Sequence, residues 1–218
     1  MQRDTDRRML EQIEQQVDLA SSRVLEIGCG RGRVTARLAA RAAGLVALDP
    51  VQSALRVVGD RLPGQALVAA RGEMLPFAPA CFDVVVFTLS LHHHRDAASA
   101  LSEAARVLVP GGRVLVIEPD ESGLLERVFA QLVDEGSAVA AAQRAVARCP
   151  LRLAYDAGFN GCWRFDDHAD LIGAVFDHYA LPEDPATVAR IDALLGPECR
   201  ARPILLEDRM RLQMLQPG

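Results

Sequence analysis

Two rhythms of apolar residues alternate through the first half of this chain. Short unbroken apolar runs bounded by glycine, proline or an acid read as buried strands over residues 23–27, 45–48, 65–70, 82–87 and 113–118. Between them apolar positions recur every three or four residues, the spacing of a helix with one buried face. Val34, Leu38, Ala39 and Ala42 make one such face, Leu55 and Val58 a second, and Leu101, Ala105 and Leu108 a third. Asp49 and Asp96 stand where they would cap the second and third of these helices. Strand and helix alternating in this way predict an α/β fold with a parallel sheet wound on both faces.

The flanks are helical. Residues 4–20 carry Met9, Leu10, Ile13 and Val17 on one stripe. Residues 121–148 carry Leu124, Leu125, Val128, Phe129 and Leu132, with an interruption at Gly136 and a stop at Cys149-Pro150. A short helix over 153–159, a strand over 161–165, helices within 167–179 and 182–197, and an extended tail over 203–215 complete the expected order.

The first strand runs into Glu26-Ile27-Gly28-Cys29-Gly30-Arg31-Gly32. A buried strand turning sharply into a helix puts that turn at the carboxyl edge of the sheet, where open α/β sheets bind ligands. Glycine there permits unusual backbone angles and close approach of a ligand to the main chain. A dinucleotide fingerprint needs its third glycine at position 33, which is Arg33. Glu26, two residues before the first glycine, suits a ligand with a cationic end. A tight turn without a ligand is the plain alternative. Asp49, at the end of the second strand, stands where an acid meets ribose hydroxyls in βαβ units; a helix cap alone is its plain alternative.

Further on come Arg71-Gly72-Glu73-Met74-Leu75-Pro76-Phe77, then Phe82-Asp83-Val84-Val85, and later Pro110-Gly111-Gly112 before an apolar strand. With these intervals the chain resembles the class I S-adenosylmethionine-dependent methyltransferases, of the small-molecule, type 11-like kind, over about residues 20–120. The resemblance implies a Rossmann-like, doubly wound, seven-stranded sheet, mostly parallel with an antiparallel last strand supplied by the tail. It implies S-adenosyl-L-methionine as cofactor and S-adenosyl-L-homocysteine as product. Glu26 would lie near the methionine ammonium, and Gly28, Cys29 and Gly30 would admit the cofactor to the main chain. Asp49 and Pro50 would hold the ribose side, Gly72, Glu73 and Met74 would bracket the adenine, and Thr88 would complete the site. One departure stands out: many members carry an acid where Arg71 stands, and a guanidinium has only donors. The implied layout is an N-terminal helix at 1–20, a cofactor-binding core at 21–120, a helical insertion over the substrate site at 121–182, and a segment at 183–218 that completes the sheet, all in one domain.

Composition narrows the chemistry. The 218 residues are 50% hydrophobic and 24% charged, ordinary for a globular domain, and the net charge of −5 argues against a general nucleic-acid binder. All 24 basic residues are arginine, which excludes a P-loop lysine, a Schiff-base lysine and a lysine base. Five scattered cysteines without a C-x-x-C, and no signal peptide, point to a reducing, cytoplasmic setting without a disulfide framework. No apolar run approaches about 18 residues, so no membrane partner is expected. Arg144, Arg148 and Arg152 fall at roughly helical spacing and meet either an acidic substrate or solvent.

The expected partner is a small-molecule acceptor; the accepting atom and the oligomeric state are not legible. His92-His93-His94 follows the fourth strand. On an extended segment adjacent side chains point to opposite faces, so at most His92 and His94 could share an ion, and no metal site is expected. The functional reading makes His92 or His93 the group that orients the acceptor or takes its proton, with Glu118 next in line; the plain reading is packing at the strand end. Two other classes stay open: a nicotinamide-dependent oxidoreductase, and a module that binds the cofactor or its demethylated product without chemistry.

Overall fold

The computed structural model describes the whole chain, Met1 to Gly218. In chain order the elements are β1 (Gln2–Arg3), α1 (Thr5–Gln16), β2 (Arg23–Ile27), α2 (Thr35–Ala39), β3 (Gly44–Leu48), α3 (Gln52–Arg61), β4 (Ala66–Val68), β5 (Phe82–Thr88), α4 (Ala97–Val107), β6 (Leu108–Pro119), α5 (Leu124–Phe129), α6 (Gly136–Arg148), β7 (Arg152–Phe165), α7 (His168–His178), α8 (Pro185–Leu195) and β8 (Ile204–Gln216). Short 3-10 turns lie at Leu19–Ser21, Leu91–His93 and Gly196–Arg200. The hydrogen-bonded strand order is β1-β7-β8-β6-β5-β2-β3-β4. Pairs β2–β3, β2–β5, β3–β4 and β5–β6 are parallel, and the edge strand β1 is antiparallel to β7. The fold is therefore the expected Rossmann-like α/β class, with eight strands in place of seven. The extra strand is two residues long, too short to show any alternation in sequence.

The chain divides into two compact units. The larger holds residues 9–118, 138–157 and 211–218. Its centre is β2, paired on one side with β3 and on the other with β5, with Leu25 opposite Val46 and Val85. Strands covered on both faces read as continuous apolar runs, and Val84, Val85, Val86 and Phe87 are all buried. Ala100, Leu101, Ala104 and Val107 of α4 share a core with Leu25, Ile27, Val85 and Phe87, and Ala142, Val146 and Leu215 join it. Asp96 caps α4 by accepting from the backbone N–H groups of Ala98 and Ser99 at 3.0 and 3.1 Å. Asp49 does not cap α3; Val51 holds that position without a side-chain bond.

The Pro110-Gly111-Gly112 turn lies inside β6 as an irregularity. Phe82 faces Leu108, but Val84 already faces Arg113. A Cβ on Gly112 would come within 2.9 Å of the Asp83 carbonyl oxygen, so glycine lets the two backbones pass.

The smaller unit holds residues 1–8, 119–137 and 158–210. Leu125, Val128, Phe129, Trp163, Phe165, Leu171, Val175, Phe176 and Ile191 pack together as its core. Asp208, buried on β8, accepts from Trp163 Nε1 at 2.8 Å and from the Thr5 hydroxyl. The expected short helix over 153–159 is absent: β7 runs unbroken from Arg152 to Phe165. Gly158 disfavours a helix by about 1 kcal/mol relative to alanine. A Cβ on Gly161 would sit 2.5 Å from Thr5 Oγ1.

Candidate active site

The site of interest lies in the larger unit, at the carboxyl ends of β2, β3, β5 and β6. After Ile27 the backbone N–H groups of Gly28 and Cys29 both donate to the Leu48 carbonyl, at 2.8 and 3.0 Å. The glycine turn is thereby tied to the end of β3. Asp49 completes the tie. It is 7% exposed; Oδ2 accepts from Gly30 N and Oδ1 from Val51 N, each at 2.8 Å. Each oxygen keeps a further lone pair for a ligand hydroxyl.

The three glycines are there for different reasons. Gly28 has φ +77°, and a Cβ on it would lie 2.5 Å from Ser90 Cβ. Gly32 is pressed by Val58, whose Cγ2 would be 3.0 Å from an added Cβ. Gly30 has φ +53° and nothing within 4 Å of where a Cβ would stand. The open space that sequence reasoning gave to the whole motif is at Gly30. Cys29 is a core residue packed with Ala47 and Leu55, and burial, with Glu26 and Asp49 nearby, pushes its thiol far above the ordinary range. Its backbone, not its sulfur, serves the turn.

Glu26 is 1% exposed. Its Oε1 receives the Thr88 hydroxyl at a long 3.5 Å, and Oε2 has no partner. Thr35 Oγ1 is also buried without a hydrogen bond of good geometry. Burial raises the Glu26 carboxyl to about 7, opposed by the Thr35 and Thr88 hydroxyls, reinforced by Asp49, and opposed by Arg33. An orphaned buried carboxylate is costly. It fits a ligand that brings an ammonium.

The loop after β4 is staked by α4. Leu75 N donates to Glu103 Oε2 at 2.8 Å, while Arg106 donates to the carbonyls of Phe77 at 2.8 Å and Leu75 at 3.1 Å. Glu103 and Arg106 pair at 2.7 Å. Glu73 accepts from Arg95 N at 3.0 Å, which joins the loop to the turn before α4. Met74 is 78% exposed, and Arg71 and Pro50 are exposed. Gly72 is buried against His94; a Cβ there would lie 2.3 Å from the ring Nε2.

The histidine run is not extended. Leu91–His93 is a 3-10 turn, so the alternation of faces expected for an extended segment does not apply. Leu89, between Thr88 and Ser90, has φ +54°, a left-handed conformation that leucine rarely takes. This bend drops Ser90 onto the glycine turn, where its hydroxyl donates to the Ile27 carbonyl at 2.7 Å. The buried His92 meets Glu118 through Nδ1, and Glu118 also accepts from Leu91 N at 2.9 Å. The His93 ring is exposed and lies 3.9 Å from the His92 ring. His94 turns back, with Nδ1 2.9 Å from the Ser90 carbonyl. Sequence reasoning missed Ser90, Leu89, Glu103 and Arg106. Their partners are distant in the chain, and no local spacing announces them.

Known proteins resemble this chain in sequence over part of its length and in fold over most of it. Residues 25–116 match a family described as a methyltransferase domain. An uncharacterised methyltransferase of Mycobacterium tuberculosis is 36% identical over 104 residues, 48% of this chain and 42% of that protein. The ubiquinone/menaquinone biosynthesis C-methyltransferase UbiE of a Marinomonas species is 36% identical over 123 residues, 51% of this chain and 49% of that one. The chain thus spans about half the length of these relatives or less. Among solved structures, the YcgJ protein of Bacillus subtilis shares the fold with a TM-score of 0.66 at 18% identity, covering 96% of this chain and 98% of that one. Over residues 25–116 the chain is thus similar to methyltransferase domains. No helix is long and apolar enough to cross a membrane.

Proposed function

We propose that the protein transfers a methyl group from S-adenosyl-L-methionine to a small-molecule acceptor. The observation that carries this reading is the buried carboxylate of Glu26, whose Oε2 has no hydrogen-bond partner, in a site whose Gly30 is open where a side chain would stand. A sulfonium amino acid brings an ammonium for Glu26 and a ribose for Asp49. Pro50, Gly72, Glu73 and Met74 would border the adenine, with the backbone of Gly28 and Cys29 along the amino-acid portion and Thr88 beside Glu26. The cofactor supplies an activated methyl group. This chain's own work is to bind and align the two reactants and to exclude water. His92 or His93 orients the acceptor or takes its proton. The relatives named for ubiquinone biosynthesis make ring-bearing small molecules the first acceptors to try.

Calorimetry with S-adenosyl-L-methionine and S-adenosyl-L-homocysteine, then release of the latter across an acceptor panel, tests the reading. Tight binding with no turnover on any acceptor would favour a binding module. Binding of a nicotinamide dinucleotide in place of either ligand would favour an oxidoreductase.

A further inference from the structure

We propose that Glu118 is the positioning residue for His92, and that the pair selects hydroxyl acceptors, phenols or enols, whose proton His92 removes. This rests on the methyl-transfer reading above. Glu118, at the carboxyl end of β6, is fully buried. Its Oε1 accepts from Leu91 N at 2.9 Å, and its Oε2 faces His92 Nδ1. A carboxylate has only acceptors, so Nδ1 carries the hydrogen and Nε2 is the basic nitrogen of the ring. The turn that presents His92 is held firmly. Leu89 is bent into the left-handed region, and Ser90 is fastened to Ile27 and pressed against Gly28. Strain of this kind persists where the surroundings over-determine it, and it clusters at working sites.

The chemistry of this pair separates acceptor classes. An amine attacks with its lone pair and sheds a proton to water afterwards. A hydroxyl is a poor nucleophile until it loses its proton, so a positioned base matters as the new bond forms. In the step inferred here the acceptor oxygen forms a bond to the methyl carbon as the carbon–sulfur bond breaks, with that electron pair left on sulfur. The hydroxyl proton passes to His92 Nε2, and the Glu118 carboxylate stabilises the resulting imidazolium through Nδ1–H.

Glu118→Gln tests this with little change of shape. Leu91 N–H claims the amide oxygen, so the NH2 turns toward Nδ1 and makes it the acceptor. Nitrogen-15 NMR of the full chain loaded with S-adenosyl-L-homocysteine should show His92 protonated on Nδ1 in the parent and on Nε2 in the variant. Product affinity should be unchanged by calorimetry, which also shows that the variant folds. Turnover on a panel of hydroxylated aromatics should fall about 100-fold or more in Glu118→Gln and in His92→Ala, and primary amines should be poor substrates of the parent. The inference is overturned if His92 carries its hydrogen on Nε2 in the parent. It is also overturned if either variant methylates phenols at the parent rate, or if no hydroxyl compound is methylated while amines are. Failure to bind S-adenosyl-L-methionine or its product removes the methyl-transfer reading itself and this inference with it.

Discussion

Glu26 is the residue whose environment conflicts most with its charge. Burial holds its carboxyl near 7, so part of the population is neutral at neutral pH when no cation is present. A ligand ammonium needs the ionised form. Affinity for S-adenosyl-L-methionine should therefore rise as pH climbs through about 7 and level off above it. Glu26→Gln should flatten that dependence and weaken binding at least about tenfold, since a hydrogen bond to a charged group contributes about 1.5–3 kcal/mol. Calorimetry at several pH values checks both; a pH-independent affinity in the parent would remove Glu26 from the ammonium site. The same group acts on stability. The folded state binds the proton more tightly than the unfolded chain, so stability falls as pH rises from about 4.5 to about 7, by about 3 kcal/mol for the ligand-free protein.

The glycines invite a paired test. Gly28→Ala meets Ser90 at 2.5 Å on a left-handed backbone, so it should unfold the turn and lower stability. Gly30→Ala has room and carries only the left-handed penalty, about 1–2 kcal/mol. It should keep the sheet and lose the cofactor. Urea melts beside binding isotherms would separate the two. Tight binding by Gly30→Ala would show that the cofactor does not approach there.

Among elements, the loop after β4 depends on α4 more than on its own sequence. Arg106 closes two carbonyls and orients Glu103, which in turn holds Leu75 N. Arg106→Ala should release this staple at a cost of about 1 kcal/mol per lost hydrogen bond. Hydrogen exchange should quicken at Leu75 and its neighbours while β5 stays protected, and cofactor affinity should fall although no cofactor contact has been removed. Unchanged exchange in the loop would mean that Pro76 and packing suffice to hold it.

For the whole molecule, a single tryptophan is a convenient reporter. Trp163 lies in the core of the smaller unit, so its fluorescence follows that unit. Asp208→Ala leaves Trp163 Nε1 and the Thr5 hydroxyl without their shared acceptor. Each buried donor so orphaned costs about 1–3 kcal/mol, which at this chain length lowers the melting midpoint by about 2–4 °C per kcal/mol. A fluorescence melt unchanged in Asp208→Ala would show that the network is relieved by water.

The periodicity of apolar residues placed β2 and the helices α4 and α7 correctly, because burial on one or both faces leaves its mark in the order of residues; the break expected at Gly136 falls just ahead of it, where α5 has ended and α6 begins. The glycine turn, Glu26 and Asp49 stood out in the sequence because small residues and acids lie close together at a strand end. The order failed where the deciding neighbour was remote. Gly158, read as helical, sits in a strand whose partners lie elsewhere in sequence, and β1 owes its existence to Arg164 and Trp163. Asp49 was placed at the ribose side with a helix cap as its plain alternative; it does not cap α3, and its oxygens go to Gly30 and Val51. The histidine run was read as extended, yet a left-handed Leu89 and the Ser90–Ile27 bond coil it and bring His92 to Glu118. Local chemistry is written in neighbouring residues, whereas the pairing of a buried acid with a buried ring exists only once two strand ends are set side by side.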